Sequence, residues 1–275
     1  MAVVNSTNNT AKAFKAMHVP KSPIVLTNIW DVSSLKAVLA LNQGDNKPVK
    51  AIATASWAIA AAARCKDEEL TYEQNMAAIK QVAPLCREAD IPLTADLQDG
   101  YGLRIQEAVA TAIKAGISGA NIEDSIPSGL LYPLDEQVQR LKAAMSAASE
   151  AGCPEFVLNA RCDVFCLDDP NFDDESRMKE AIARGKAFLE LGATTVFYWG
   201  GPRGGLSKAQ LQTLVKELDG RVSVLLRAYA GNPTVSELAD IGVARISIGP
   251  TLYGVAMGAV QKAASSILGE GKLPV

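Results

Sequence analysis

With 275 residues, 48% of them hydrophobic and 5% aromatic, the chain can bury a sizeable core as one large α/β barrel or as two ordinary domains. A net charge of −3 and a pI near 5.4, without any basic tract, exclude nucleic acid as a partner. No apolar run approaches the ~20 residues of a membrane span, and five irregularly spaced cysteines give neither a disulfide framework nor a zinc site.

The segment from Met1 to Thr10 is polar and lacks the basic and apolar parts of a signal peptide, so a cytoplasmic protein is expected. Residues 1–20 read as an extension ahead of the first strand. That strand, Pro23 to Asn28, closes on Trp30 and Asp31. A helix from Ser33 to Leu41 follows, with Ser33 as its cap. Ala51 to Ser56 reads as a second strand. After the acidic loop Asp67-Glu68-Glu69, a helix runs from Thr71 to about Glu88, and the Thr71-to-Gln74 spacing fits a capping box. The third strand, Leu93 to Asp96, precedes a helix from about Ile105 to Ala115. The fourth, Gly119 to Glu123, precedes a helix from Leu134 to Ala151. The fifth, Phe156 to Arg161, is followed by an acidic loop and a helix ending near Leu191. The sixth, Thr194 to Trp199, ends in a glycine-rich turn, Gly200 to Gly205, which lacks the Lys-Ser/Thr tail of a phosphate loop. Ser207 caps the next helix. Val222 to Arg227 is the seventh strand, with a short helix from Thr234. Arg245 to Ile248 is the eighth, before a final helix and a tail from Gly269 to Val275.

Eight short, apolar strands alternating with helices predict parallel pairing with right-handed crossovers. Eight such units close into a (β/α)8 TIM-type barrel, here one domain over residues 1–275. An open doubly wound sheet is the alternative, but no dinucleotide fingerprint follows the first strand. In a barrel the chemistry sits at the C-terminal strand ends. Read in order, those ends are Trp30-Asp31, Ser56-Trp57, Asp96 with Gln98 and Asp99, Glu123-Asp124, Arg161 with Asp163, Trp199 and Arg227. Several carboxylates gathered at one mouth, without a histidine or cysteine cluster, suit a hard divalent cation, Mg2+ first and Mn2+ as a substitute. An arginine facing such a metal suits an anionic substrate gripped by a bidentate fork. The stretch Leu93 to Gly102 (LTADLQDGYG) focuses this expectation, since it delivers neighbouring acids into a glycine-bracketed turn.

The segments Ala53-Thr54-Ala55-Ser56, Asp96 to Gly102, Asn121 to Ser125, Asn159 to Asp163 and Gly242 to Pro250 resemble the isocitrate lyase/phosphoenolpyruvate mutase superfamily. The likeness runs from about Ile24 to Gly258. The resemblance implies an α/β barrel whose last helix is swapped between subunits of a homodimer or homotetramer. It also implies Mg2+ and a 2-oxo or 2-hydroxy carboxylate that passes through an enolate. On its motifs, Ser56 and the following Trp57 and Ala58 match the turn holding the substrate's carboxylate. Asp67 matches a loop aspartate, Asp96 and Glu123 match metal-shell acids, and Arg161 matches the arginine that steadies the substrate. Trp30 and Asp31 match pocket residues at the end of the first strand, and Asn159 stands in the motif of Arg161.

Two departures stand out. The second metal-shell acid of the family falls on Gln98, unless Asp99 replaces it. The loop after the fourth strand, Ser125 to Tyr132, carries neither the cysteine acid of isocitrate lyases nor the lysines and asparagine of phosphonomutases. Tyr101 is read either as a proton donor or as pocket wall, and Arg203 and Arg227 as candidate second carboxylate clamps. His18, the only histidine, lies before the first strand, so no Ser-His-Asp or Cys-His arrangement is available. The expected activity is carbon–carbon cleavage or decarboxylation. P–C bond chemistry, or a non-catalytic oxo-acid binder, is the alternative.

Overall fold

The computed structural model describes residues 2–126, 128–169, 172–201, 204–227 and 231–273. Eight strands pair in parallel and in sequence order, the eighth closing on the first: β1 (Ile24–Ile29), β2 (Ile52–Thr54), β3 (Leu93–Asp96), β4 (Gly119–Glu123), β5 (Val157–Arg161), β6 (Thr195–Tyr198), β7 (Val222–Leu225) and β8 (Arg245–Ser247). The predicted barrel is therefore present. Ten α-helices accompany it among the described residues: α1 (Ala2–Ala16), α2 (Val32–Leu39), α3 (Ser56–Ala62), α4 (Tyr72–Glu88), α5 (Ile105–Ala115), α6 (Leu134–Glu150), α7 (Asp174–Glu190), α8 (Lys208–Glu217), α9 (Val235–Ile241) and α10 (Thr251–Glu270). None of them is long and apolar enough to cross a membrane.

Strand residues alternate between the helix layer and the barrel interior. Leu93, Ala95, Ala120, Ile122, Leu158, Ala160, Val196 and Ile246 join the main apolar cluster beneath the helices. Their neighbours, Thr94, Asp96, Asn121, Glu123, Asn159, Arg161, Thr195 and Arg245, therefore face inward. The lower end of the interior is apolar and consists of Ile24, Leu26, Ala51, Ala53 and Val157. Phe14 of α1 plugs it and is fully buried. The N-terminal residues are thus a helix closing the barrel floor rather than a simple extension. Asn28 ties the closure at the other end: its amide donates to the Thr54 carbonyl at 2.9 Å, and its oxygen accepts from Ile248 and Gly249 N–H.

Three local expectations change. Asp31, not Ser33, caps α2, accepting from Ser34 N at 2.7 Å while the Ser34 hydroxyl takes N–H groups in return. Residues after β2 turn at once into α3, because Ser56 to Ala62 is an alanine-rich run with strong helix propensity. Gly269 and Glu270 belong to α10 rather than to a tail.

Candidate active site

The pairing register puts Asn121 beside Asn159, and one inward position further, Glu123 beside Arg161. Arg161 Nη1 donates to Glu123 Oε2 at 2.6 Å and its Nε to Asp163 Oδ1 at 2.8 Å. Asp163 also accepts from Trp199 Nε1 at 2.9 Å and from the Ser125 hydroxyl at 2.8 Å. Such charge-assisted bonds on two sides fix the plane of the guanidinium. Across the mouth, Asp96 Oδ2 accepts from the Ser56 hydroxyl at 3.0 Å and from Ser56 N at 3.3 Å. The Gln98 amide donates to the Asp67 carbonyl at 2.6 Å and lies 3.4 Å from Asp67 Oδ1. Asp67, Gln98, Glu123, Arg161 and Asp163 line one cavity of about 550 Å3, walled by Leu70, Tyr101, Ile126, Leu131, Tyr132 and Cys166. Arg161 is the only basic side chain lining it among the described residues.

Like charges crowd here, and proton affinities respond. The Asp67 carboxyl is pushed up to about 6, first by burial and then by the charge of Asp96. Burial drives Glu123 well above the ordinary glutamate value, against the pull of Arg161 and with the push of Asp163 and Asp96. A carboxyl raised in the folded state binds more protons there than in the unfolded chain, so its ionisation disfavours folding. For Asp67 the window is set by its ordinary value of 3.8 and its folded value of about 6. In EDTA, Asp67→Asn should therefore melt above wild type at pH 7, and the advantage should shrink as pH falls to 5. Thermal melts across that range check it.

The turn after β3 is built to reverse sharply. Gln98, Gly100, Tyr101 and Gly102 all have left-handed φ, from +52° to +86°. A side chain at Gly100 would collide with Ile105, which explains that glycine. The segment from Ser125 to Tyr132, outside Pro127, is a short hairpin. Ser125 bridges Leu131, Ile126 N donates to the Leu130 carbonyl, and Tyr132 N donates to the Asp124 carbonyl. Arg184 secures its base, bonding Asp124 at 3.1 Å and the Tyr132 carbonyl at 3.0 Å.

Several predicted site residues are committed to other partners, although Asp99 and Tyr101 still line the cavity. Asp99 is committed to the turn: it accepts from Tyr101 N, Gly102 N and the Tyr132 hydroxyl, with Arg140 at 3.5 Å, so its oxygens are spent before any metal arrives. Asp31 is spent as a helix cap. Asn159 is fully buried one layer below the mouth, donating to Asn121 and accepting from Thr195. Arg227 donates to the carbonyls of Trp199 and Gly201 and braces that loop. The Tyr101 hydroxyl accepts from Asn75 at 2.6 Å, burial raises its proton affinity against the pull of that bond, and the ring forms cavity wall. Trp30 and Trp57 make edge contacts with Tyr253 at the start of α10, and Ala58 is buried within α3. Arg203 lies outside the described residues.

Sequence reasoning gave Asp163 no role beyond a strand-end acid and passed over Ser125 and Cys166 as site residues. The Arg161-to-Asp163 spacing, one strand period, was the available signal for the first. The other two reach the cavity through loop geometry that carries no periodicity.

A closed parallel barrel with acids and one braced arginine at its C-terminal mouth defines the class: a (β/α)8 protein with its site where barrel enzymes keep theirs. The sequence profile of the phosphoenolpyruvate phosphomutase family matches residues 14–268, and the chain belongs to that family. A solved structure from Burkholderia cenocepacia J2315, provisionally described as a phosphonomutase, is 33% identical with a TM-score of 0.82, covering 97% of this chain and 100% of that one. An uncharacterized protein of Mycobacterium tuberculosis H37Rv is 28% identical over 263 residues, 95% of this chain and 91% of the relative. The structure of 2,3-dimethylmalate lyase, a PEP mutase/isocitrate lyase superfamily member, shares the fold at 22% identity and a TM-score of 0.77, covering 96% of this chain and 88% of that one.

Proposed function

We propose that the protein is a Mg2+-dependent lyase that cleaves a carbon–carbon bond, or decarboxylates, next to the carbonyl of a small 2-oxo or 2-hydroxy carboxylate through an enolate. The observation that carries this reading is a cavity lined by Asp67, Glu123 and Asp163, with the charge of Asp96 acting on Asp67 and Glu123, whose one cation, among the described residues, is Arg161. Asp67 and Glu123 are hard oxygen donors with raised proton affinity, a pair that a divalent cation would relieve. Among the described residues no three acids, histidines or cysteines stand as a ready direct ligand set. The fit is therefore to Mg2+ that keeps most of its waters, held through them by Asp96, Glu123, Asp67 and the neutral Gln98. Bound there, the cation would supply electrostatic stabilisation of negative charge developing on the substrate's oxygens.

The chain's own groups divide the remaining work. Arg161, fixed by Glu123 and Asp163, orients the carboxylate through its remaining donors. The Asp67 carboxyl, facing the same cavity, is the group placed to take and return a proton. Leu70, Ile126 and Leu131 limit water at the outer wall. A single arginine already shared by two carboxylates favours C–C over P–C chemistry, because a phosphonate dianion calls for more positive charge. The 33% identical phosphonomutase-like neighbour favours the P–C reading. Incubation with Mg2+ and oxaloacetate, 2-methylisocitrate-type acids or phosphonopyruvate, with pyruvate or oxalate as readout, tests both. Turnover of the carbon acids alone is expected. Turnover of phosphonopyruvate alone would move the assignment to P–C chemistry, and binding without turnover would leave an oxo-acid binder.

We also propose that the chain assembles as a homodimer or homotetramer through α10. No residue of this helix is fully buried among those described, and Val255, Val260 and Leu268 are 60–87% exposed. Light scattering should show a multiple of the 29.0 kDa chain mass, and Val260→Glu should shift it toward monomer.

A further inference from the structure

Arg245 lies inside the barrel, one layer under the mouth. It is completely buried. Its Nη2 donates to Asn121 Oδ1 at 3.1 Å, while Nε and Nη1 have no partner among the described residues. Among the described residues no carboxylate pairs with it, although the field of Asp96 reaches it. Beneath it lies the Phe14 ring, 5.8 Å from the guanidinium carbon. His18, packed edge-on to that ring at 4.7 Å, is held neutral by burial and by Arg245, its value lowered to about 3. Burial lowers Arg245 itself to about 9, still above neutral pH, so the guanidinium remains charged.

A lone buried cation is costly, and an apolar side chain of similar volume is usually as stable or more so. A barrel that needed only filling at this height would hold a leucine or methionine. The position of Arg245 says what the charge serves. Asn121, which accepts its one hydrogen bond, also accepts from Asn159 at 2.8 Å. Those two asparagines stand one inward position below Glu123 and Arg161 on the same strands. Above that floor, Asp67, Asp96, Glu123 and Asp163 confront, among the described residues, Arg161 alone. Such a mouth attracts a divalent cation but repels a carboxylate.

We propose that Arg245 is a positioning residue for anion binding: its buried charge is the counter-ion beneath the acidic mouth that allows a cavity lined by carboxylates to accept a negatively charged substrate. The proposal rests on the anionic substrate assigned above. It makes a signed prediction. Removing the charge should weaken the bound anion and leave the metal unchanged or tighter, whereas a merely structural lesion would weaken both.

The test uses the full chain as wild type, Arg245→Met, Arg245→Gln and Arg245→Lys. Three quantities are measured: melting temperature without ligands, Mg2+ affinity by calorimetry, and oxalate affinity at saturating Mg2+. For both neutral variants, oxalate should bind about tenfold more weakly, the scale of a unit charge acting across one layer of protein interior. Mg2+ should bind at least as tightly as in wild type, Arg245→Met should melt no lower than wild type, and Arg245→Lys should restore most oxalate affinity. Unchanged oxalate affinity in the neutral variants overturns the proposal, as does parallel loss of metal, oxalate and melting temperature. If Arg245→Met does not fold, Arg245→Gln, which keeps a polar uncharged side chain, carries the same reading. Wild-type protein that binds no oxalate even with Mg2+ would refute the proposed function itself, and this inference with it.

Discussion

Arg161→Ala is expected to lower kcat/KM by about a thousandfold, the scale of removing a preorganised charged donor from a developing negative charge. The side chain is gripped by Glu123 at 2.6 Å and Asp163 at 2.8 Å, so its loss also strands two acids in a half-closed site. Breaking a largely buried pair from one side costs about 3 kcal/mol, and the melting temperature should fall accordingly. Arg161→Lys is the control for geometry. A lysine keeps the charge but cannot serve both carboxylates as a planar fork, so it should recover stability more than activity. Steady-state kinetics on whichever carbon acid is turned over, with melts of both variants, separate the two effects. Equal activity in wild type and Arg161→Ala would remove the residue from the site.

Asp96→Ala should weaken Mg2+ by about a hundredfold, in the range for losing a carboxylate that holds a metal through its shell. The loss should be partly recoverable at high Mg2+, which distinguishes it from Arg161→Ala, where added metal should not help. A second consequence follows from crowding. Asp96 is the leading charge that raises Asp67, so its removal should move the Asp67 ionisation back toward the ordinary aspartate value. The pH dependence of melting, compared between Asp96→Ala and the Asp96→Ala/Asp67→Asn double variant, reads this directly. Calorimetry gives the metal affinity.

The barrel could be read from the chain because buried strands must be apolar on both faces and helices must alternate with them. The rule that chemistry sits at strand ends then picked out Glu123 and Arg161, which the register sets side by side, and Asp96, which pairs with Asn121 and acts on the cavity's acids through its charge. What failed was depth and local commitment. Asn159 faces inward as its alternation requires, but a two-residue period says nothing about which layer a side chain occupies. Asp99 was misread because an Asp-Gly turn uses the carboxylate on its own backbone, and the local bonds to Tyr101 and Gly102 win. Asp31 went the same way to a helix cap. The helix α1 was missed because its Asn- and Thr-rich stretch reads as polar coil, and its one decisive contact, Phe14 under the barrel, joins residues far apart in sequence. The hairpin from Ser125 to Tyr132 depends on Arg184, Arg140 and Asp99 from three other segments, and no local pattern announces such a convergence.

Crystals soaked with Mg2+ and oxalate give the most direct view of the site. The metal should appear at the mouth within water-bridging reach of Asp96 and Glu123, with oxalate on it and the Arg161 guanidinium turned toward the oxalate oxygens. Oxalate bound away from Arg161, or a mouth that takes up no metal at millimolar Mg2+, would contradict the assignment.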